Sequence, residues 1–221
     1  MPTLSEARIA TILTPFLPSP SPDILPKLSA YLELLLKWNA RTNLTAIRDP
    51  EEIVRRHFGE SLFAGLHLTP ETNTLLDFGS GAGFPGLPIA ILRPEIAVTL
   101  AESQNKKSTF LREAVRSLGL KVEIWAARVE TMPQDLHFHT VTLRAVDNMS
   151  AALSAAAPRA SNDLLLLTGT PPTPPHGFSF QKPISIPTTQ SSILLRGIRE
   201  ERSTWNKDFH IGPPETPQST P

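Results

Sequence analysis

Residues 75–86 read Leu75-Leu76-Asp77-Phe78-Gly79-Ser80-Gly81-Ala82-Gly83-Phe84-Pro85-Gly86. A short apolar run ends in an acid and is followed by four glycines. This pattern predicts a buried strand that turns sharply into a helix. Glycine lets the turn take positive φ and lets a ligand approach the backbone. The N-terminus of the following helix carries free N–H groups and partial positive charge. Such a turn is suited to a nucleotide-like cofactor.

Working outward, the chain alternates strands and helices. Strands are expected at 74–78, 96–101, 121–126, 139–144 and 163–168, and helices at 86–92, 105–118 and 149–157. Two more strands are expected at 178–186 and 191–198. This alternation, closed by a strand pair, predicts an α/β doubly wound sheet. Ligands on such sheets bind beyond the carboxyl ends of the strands, where Asp77, Glu102 and Arg144 fall.

Ahead of the sheet, Thr3-Leu4-Ser5-Glu6 has capping-box spacing and opens a helix to about Leu13. Leu25, Leu28, Leu32, Leu35 and Leu36 repeat at helical spacing over 24–38. Asp49-Pro50-Glu51-Glu52 starts another helix to about Ala64, with Asp49 as cap and Pro50 at the first position. The division expected is a helical extension at 1–66 packed on the core, a catalytic domain at 67–200, and a disordered tail at 201–221.

The 221 residues carry 21 basic and 21 acidic side chains, so net charge is zero. This argues against strong non-specific nucleic-acid binding but leaves room for a local basic face. There is no Cys, which excludes disulfides, thiolate nucleophiles and Cys-based metal sites. No metal site is expected. No apolar run approaches the roughly 20 residues of a membrane span, and no signal-peptide pattern opens the chain. A cytoplasmic protein without membrane contact is expected. The 23 prolines cluster at 15–26, 171–187 and 213–221, which read as a linker, an irregular insertion and the tail.

The glycine loop admits two cofactors. Gly81-Ala82-Gly83-Phe84-Pro85-Gly86 fits the dinucleotide fingerprint, and Gly79-Ser80-Gly81-Ala82-Gly83 fits the looser loop of adenosylmethionine-dependent methyltransferases. Glu102 stands where an acid would hold ribose hydroxyls in either case. Asp77 tilts the choice, because a carboxylate there repels a pyrophosphate and suits the methionine ammonium. Pro85 and Pro88 remove N–H groups that a pyrophosphate would use.

The order and spacing of several segments then resemble one family. They are Leu36-Lys37-Trp38-Asn39-Ala40-Arg41-Thr42-Asn43-Leu44-Thr45, Arg48-Asp49-Pro50, Arg56-His57-Phe58, the glycine loop, Arg128-Val129-Glu130 and Leu143-Arg144-Ala145. Over roughly 24–168 the chain resembles ribosomal RNA small subunit methyltransferase G, also called glucose-inhibited division protein B. The resemblance implies a class I, Rossmann-like methyltransferase fold with a seven-stranded, mostly parallel sheet. It implies S-adenosyl-L-methionine as donor and N7 of one guanine in bacterial 16S rRNA as acceptor, with the rRNA or the small ribosomal subunit as partner; a monomer is the default expectation. On matching positions, Gly79, Gly81 and Phe84 would meet the cofactor together with Asp77. Glu102 would take the ribose, Val129 and Glu130 would lie against the adenine, and Arg144 would close the site. The chain departs from the family at Pro158-Arg159-Ala160-Ser161-Asn162-Asp163 and at Leu167-Thr168-Gly169, where Thr168 replaces a usual Lys.

Guanine N7 has a lone pair and no proton, so no general base is needed, and none is identified. For RNA contact, Lys106 and Lys107 beside the loop and Arg41 and Arg56 in the extension are the candidates. Arg112 and Arg116 read equally as a solvated face. His57 reads as a hydrogen-bonded core residue and Trp38 as core. Asn39 and Asn43 read as ties between loop and helix. Arg144 could also pair with Asp77 or Glu130. Other readings are a nicotinamide-dependent oxidoreductase, an inactive RNA- or ribosome-binding protein of the same fold, and a methyltransferase acting on a different RNA or a small molecule.

Overall fold

A computed structural model of the chain describes residues 3–144, 148–189 and 191–200. The tail expected at 201–221 lies outside the described residues, as does Ala145.

The first helix, α1 (Glu6–Leu13), is capped by Ser5, whose Oγ accepts from Arg8 N at 3.2 Å. The capping-box spacing points to Thr3 as the cap. Thr3 N instead donates to Glu33 Oε1, which leaves Ser5 as the residue with extended backbone next to the helix. Helix α2 (Ile24–Thr42) buries Leu28, Tyr31, Leu32 and Leu35. It continues past the expected end at 38 to Asn43, whose φ of 46° stops it in the left-handed region that Asn tolerates. Asp49 caps α3 (Pro50–Glu52) by accepting from Glu52 N at 2.8 Å, as expected. A π-helical stretch, Ile53–Gly59, then leads into α4 (Glu60–Leu66). The expected single helix thus carries a widened turn in its middle, a device often found at functional sites.

The sheet is built from β1 (Thr74–Phe78), β2 (Ala97–Ala101), β3 (Val122–Trp125), β4 (Phe138–Arg144), β5 (Ala160–Thr168), β6 (Phe178–Phe180), β7 (Ile184–Ser185) and β8 (Ile193–Arg199). Its order is β3-β2-β1-β4-β5-β8-β6, with β7 also paired to β8. β1 to β5 run parallel, and β8 is antiparallel to β5, β6 and β7. There are eight strands where seven were expected. The expected strand at 178–186 is split at Pro183, which has no N–H for the ladder.

Helices α5 (Gly86–Leu92), α6 (Asn105–Ser117) and α7 (Met149–Ala156) connect the parallel strands. Both faces of the sheet are covered, so the strands are apolar at consecutive positions. Leu75, Leu165 and Leu167 face the core shared with α1, α2, α5 and α6. Leu76, Leu164 and Leu166 face the core under α7. The helical extension contributes Tyr31 and Phe58 to the first of these cores, where they meet Phe84 and Phe110. Strand order reverses around β1, and the glycine loop leaves the sheet at that switch point.

Candidate functional site

Asp77 sits on β1 opposite Thr142 of β4 and is fully buried. Its Oδ2 accepts from Gly86 N at 3.0 Å and its Oδ1 from Thr142 Oγ at 3.2 Å. The carboxylate therefore ties β1, β4 and the first residue of α5 together. Burial pushes its pKa up to about 6, against the hydrogen bonds from Gly86 N, Ser80 and Thr142 and the charge of Arg144. Gly86 makes this closeness tolerable. A Cβ there would lie 2.3 Å from Leu100 Cδ2 and 2.7 Å from Asp77 Oδ2.

Glu102 follows the end of β2 and holds the other side of the loop. Its Oε2 accepts from Gly81 N at 2.9 Å and its Oε1 from Gln104 N at 2.8 Å. Ser80 N also donates to Ala101 O at 2.9 Å. The loop thus curls over the carboxyl ends of β1 and β2. Gly79 has a φ of 71°, and nothing lies within 4 Å of where its Cβ would be.

That open side faces a cleft of about 160 Å³, lined by Gly79, Ala101, Ser103, Arg128, Val129 and Glu130 among others. The backbone of Val129–Thr131 forms a 3₁₀ turn, with Val129 buried and Glu130 exposed. Of the sequence-predicted cofactor residues, Gly79, Val129 and Glu130 share this cleft, and Gly81 and Glu102 are bonded to each other at its edge.

Asp77, Phe84 and Arg144 lie behind the loop instead. Asp77 has no exposed surface to offer an ammonium, because its side chain points under α5. Phe84 is buried and stacks on Tyr31 and His57, with ring centroids 5.3 Å and 4.8 Å away. Arg144 turns toward the helical extension. Its Nη2 donates to Glu60 Oε2 at 2.9 Å, to His57 Nδ1 at 2.9 Å and to Arg56 O at 3.1 Å. Its partner is therefore Glu60, neither Asp77 nor Glu130. Burial lowers the Arg144 pKa, against the attraction of Glu60.

His57 Nε2 lies 2.7 Å from Thr45 Oγ, and Asn39 Oδ1 accepts from Thr45 N at 3.0 Å. A chain of polar contacts thus runs from α2 through the 43–49 loop and the π-helical stretch to the end of β4. Arg48 donates to Asn39 O at 2.7 Å and to Asn43 Oδ1. This agrees with reading Asn39 and Asn43 as ties and His57 as a hydrogen-bonded interior residue. Trp38 is half-buried against Phe110 at 5.7 Å.

Lys106 is exposed and Lys107 half-buried in the first turn of α6, just after Glu102. Arg41 is exposed in the last turn of α2. Arg56 is exposed with its Nε 3.7 Å from Glu60 Oε1.

Sequence reasoning missed Tyr31, Thr142 and Glu60. Tyr31 Oη donates to Ala82 O, so α2 holds the glycine loop directly. It is the only Tyr of the chain and stands among the leucines of α2. Glu60 is an acid within an otherwise apolar helix face, a signal that a cation waits inside. A larger cavity of about 600 Å³ lies at the amino ends of the parallel strands, beside Thr69, His139 and Asn162. It is remote from the glycine loop, at the end of the sheet that open α/β folds do not use for ligands.

Residues 24–172 match the family model described as rRNA small subunit methyltransferase G. The chain belongs to that family. The match takes in both the polar chain from Asn39 to Arg144 and the cleft. A ribosomal RNA small subunit methyltransferase G of Xylella fastidiosa is 42% identical over 158 residues, covering 67% of this chain and 74% of the relative. The protein of the same name from Xanthomonas campestris is 39% identical over 153 residues, covering 68% and 71%. Among solved structures, an O-methyltransferase family protein from Burkholderia thailandensis superposes with a TM-score of 0.55 at 14% identity, covering 81% of this chain and 72% of that one. A ribosomal protein L11 methylase from Lactobacillus delbrueckii subsp. bulgaricus gives 0.51 at 9% identity, covering 66% and 80%. These two establish the fold alone. Family membership decides between the two cofactor readings of the glycine loop in favour of the methyltransferase, and the oxidoreductase reading falls away. No described helix is long and apolar enough to cross a membrane.

Proposed function

We infer that this member of the methyltransferase G family transfers a methyl group from S-adenosyl-L-methionine to N7 of a guanine in 16S rRNA. The observation that carries this reading is the family match over 24–172, which contains the whole cleft at the switch point. The residues present fit the cofactor. Gly79 leaves its side of the turn open, and an acid stands at the end of β2.

Gly79, Gly81, Glu102, Val129 and Glu130 would hold the cofactor. Asp77, Phe84 and Arg144 would act one layer behind, keeping the loop in place. When bound, adenosylmethionine supplies an electrophilic methyl on sulfur. Guanine N7 offers a lone pair without a proton to remove, so the residues around the cleft need to align and enclose rather than to accept a proton. Alignment of this kind can contribute about 7–11 kcal/mol to lowering a barrier.

Lys106 and Lys107, in the first turn of α6 just after Glu102, would grip phosphates near the reacting base, with Arg41 and Arg56 adding charge from the extension. The enzyme would act in the cytoplasm as a monomer on the rRNA or the small ribosomal subunit. The test is methyl transfer from labelled adenosylmethionine to small subunits or rRNA lacking the native modification, followed by nucleoside mass spectrometry. The reading expects 7-methylguanosine at one position. RNA binding with no methyl transfer would favour the inactive-protein alternative, and label in another nucleoside would replace the stated acceptor.

A further inference from the structure

Behind the cleft wall lies a buried cation that the methyl-transfer reading leaves without a role. Arg159 closes the 3₁₀ turn Ala157–Arg159 between α7 and β5 and is only 7% exposed. Its guanidinium is directed at four backbone carbonyls of one loop. Nη2 donates to Met132 O at 2.9 Å and to Val129 O at 3.5 Å. Nη1 donates to Leu136 O at 3.2 Å and to Pro133 O. Among the described residues no carboxylate forms an ion pair with it.

A guanidinium kept from water without a counter-ion is expensive, and the cost is reduced only by well-aimed acceptors. Here all four acceptors lie within residues 126–137, the connection between β3 and β4. On its other side the same connection is held by Trp125 Nε1, which donates to Arg128 O at 3.1 Å. The first residues of the connection are those that line the cleft, Arg128, Val129 and Glu130. Of these three, Val129 turns its carbonyl toward Arg159 and is buried, while Glu130 is exposed and lines the cleft.

We propose that Arg159 is a positioning residue for cofactor binding, fixing the 129–136 loop as the rigid wall of the cleft. The planar fork of Arg suits this task. It reaches carbonyls on both sides at once, whereas the compact ammonium of Lys cannot span them. The proposal rests on the cleft being the cofactor site, and it assigns Arg159 no contact with substrate.

Two measurements on the full chain test it. The first compares wild type and Arg159→Lys for adenosylmethionine affinity by calorimetry, and for KM toward each substrate and kcat, with circular dichroism confirming that the variant is folded. The expected result is cofactor Kd and KM raised about tenfold or more, as loss of a hydrogen bond to a charged group would give, with the RNA KM unchanged. A folded variant that binds the cofactor as tightly as wild type overturns the role of Arg159 and leaves the cleft reading standing. Wild type that binds no adenosylmethionine overturns the cleft reading and the proposal together. The second measurement needs no variant and decides the matter where Arg159→Lys does not fold. It is amide hydrogen exchange of the free wild-type protein at Thr131 and Met132, whose N–H groups bond within the turn. Exchange nearly as slow as in the sheet supports an anchored wall, and exchange as fast as in an unstructured loop overturns it.

Discussion

Acidification should unlock the contact between the helical extension and β4 through one side chain, His57. Arg144 Nη2 can only donate, so the His57 Nδ1 it meets at 2.9 Å must accept. The ring proton then sits on Nε2 and is donated to Thr45 Oγ at 2.7 Å. Adding a second proton would set an N–H against the guanidinium. Burial first, then the charges of Arg144 and Arg56, lower the His57 pKa from 6.5 to about 3. A group whose folded pKa is lowered contributes stability that is present above its unfolded pKa and lost as pH falls toward the folded one. Each pH unit in that window costs about 1.4 kcal/mol, so roughly 3 kcal/mol is lost by two units below 6.5. That is a large fraction of the stability of an ordinary domain. Asp77 works in the opposite sense. Its pKa is raised to about 6, so its contribution is full below 3.8 and declines as pH rises through 6. The two are separated by urea unfolding of wild type and His57→Gln across about pH 7.5 to about pH 4.5, because Asp77 is common to both. Wild type should be the more stable near neutrality, and the gap should shrink by about 3 kcal/mol on acidification. Parallel stability curves for the two proteins would refute the neutral, buried His57.

Tyr31→Phe keeps the stacked rings but leaves Ala82 O without its donor, and should cost about 1–3 kcal/mol. Calorimetry should show a melting temperature lowered by about 2–4 °C for each kcal/mol, with weaker cofactor binding. Gly86→Ala forces a methyl against Leu100 and Asp77 and should cost about 1–3 kcal/mol by denaturant unfolding, together with cofactor affinity. Replacing Lys106 and Lys107 together with Ala should weaken rRNA binding and lower the salt dependence by between about one and two counterions in filter binding, with adenosylmethionine affinity retained.

The parts of this protein written in local pattern were legible in its sequence. The β–α alternation, the Asp49 cap and the glycine turn each depend on residues a few positions apart, and each is found where the pattern places it. Gly79 comes from the glycine turn and Val129 and Glu130 from the family resemblance, and the structure brings all three to one cleft at the switch point. What sequence could not supply was the direction of individual side chains. Whether Asp77 faces a ligand or the underside of α5 depends on Thr142, 65 residues away. Arg144 chooses Glu60 across 84 residues and an unforeseen π-helical stretch, which no periodicity announces. The resemblance makes Phe84 a cofactor contact, and nothing in the local sequence announces that Tyr31 and His57 from the extension stack on its ring. Arg159 falls in a departure from the family motif, and its reach to the carbonyls of Pro133 and Met132, more than 25 residues earlier, is set by the fold and not by any local pattern.

The most direct test of the account is to map where a non-reactive cofactor product binds. Amide NMR spectra of the isotope-labelled full chain would be recorded with and without S-adenosylhomocysteine. The account predicts shifts concentrated at Gly79, Gly81, Ser103 and Arg128 to Glu130, around the cleft at the carboxyl ends of the strands. Shifts concentrated instead at Thr69, His139 and Asn162, in the larger cavity at the amino ends, would contradict it.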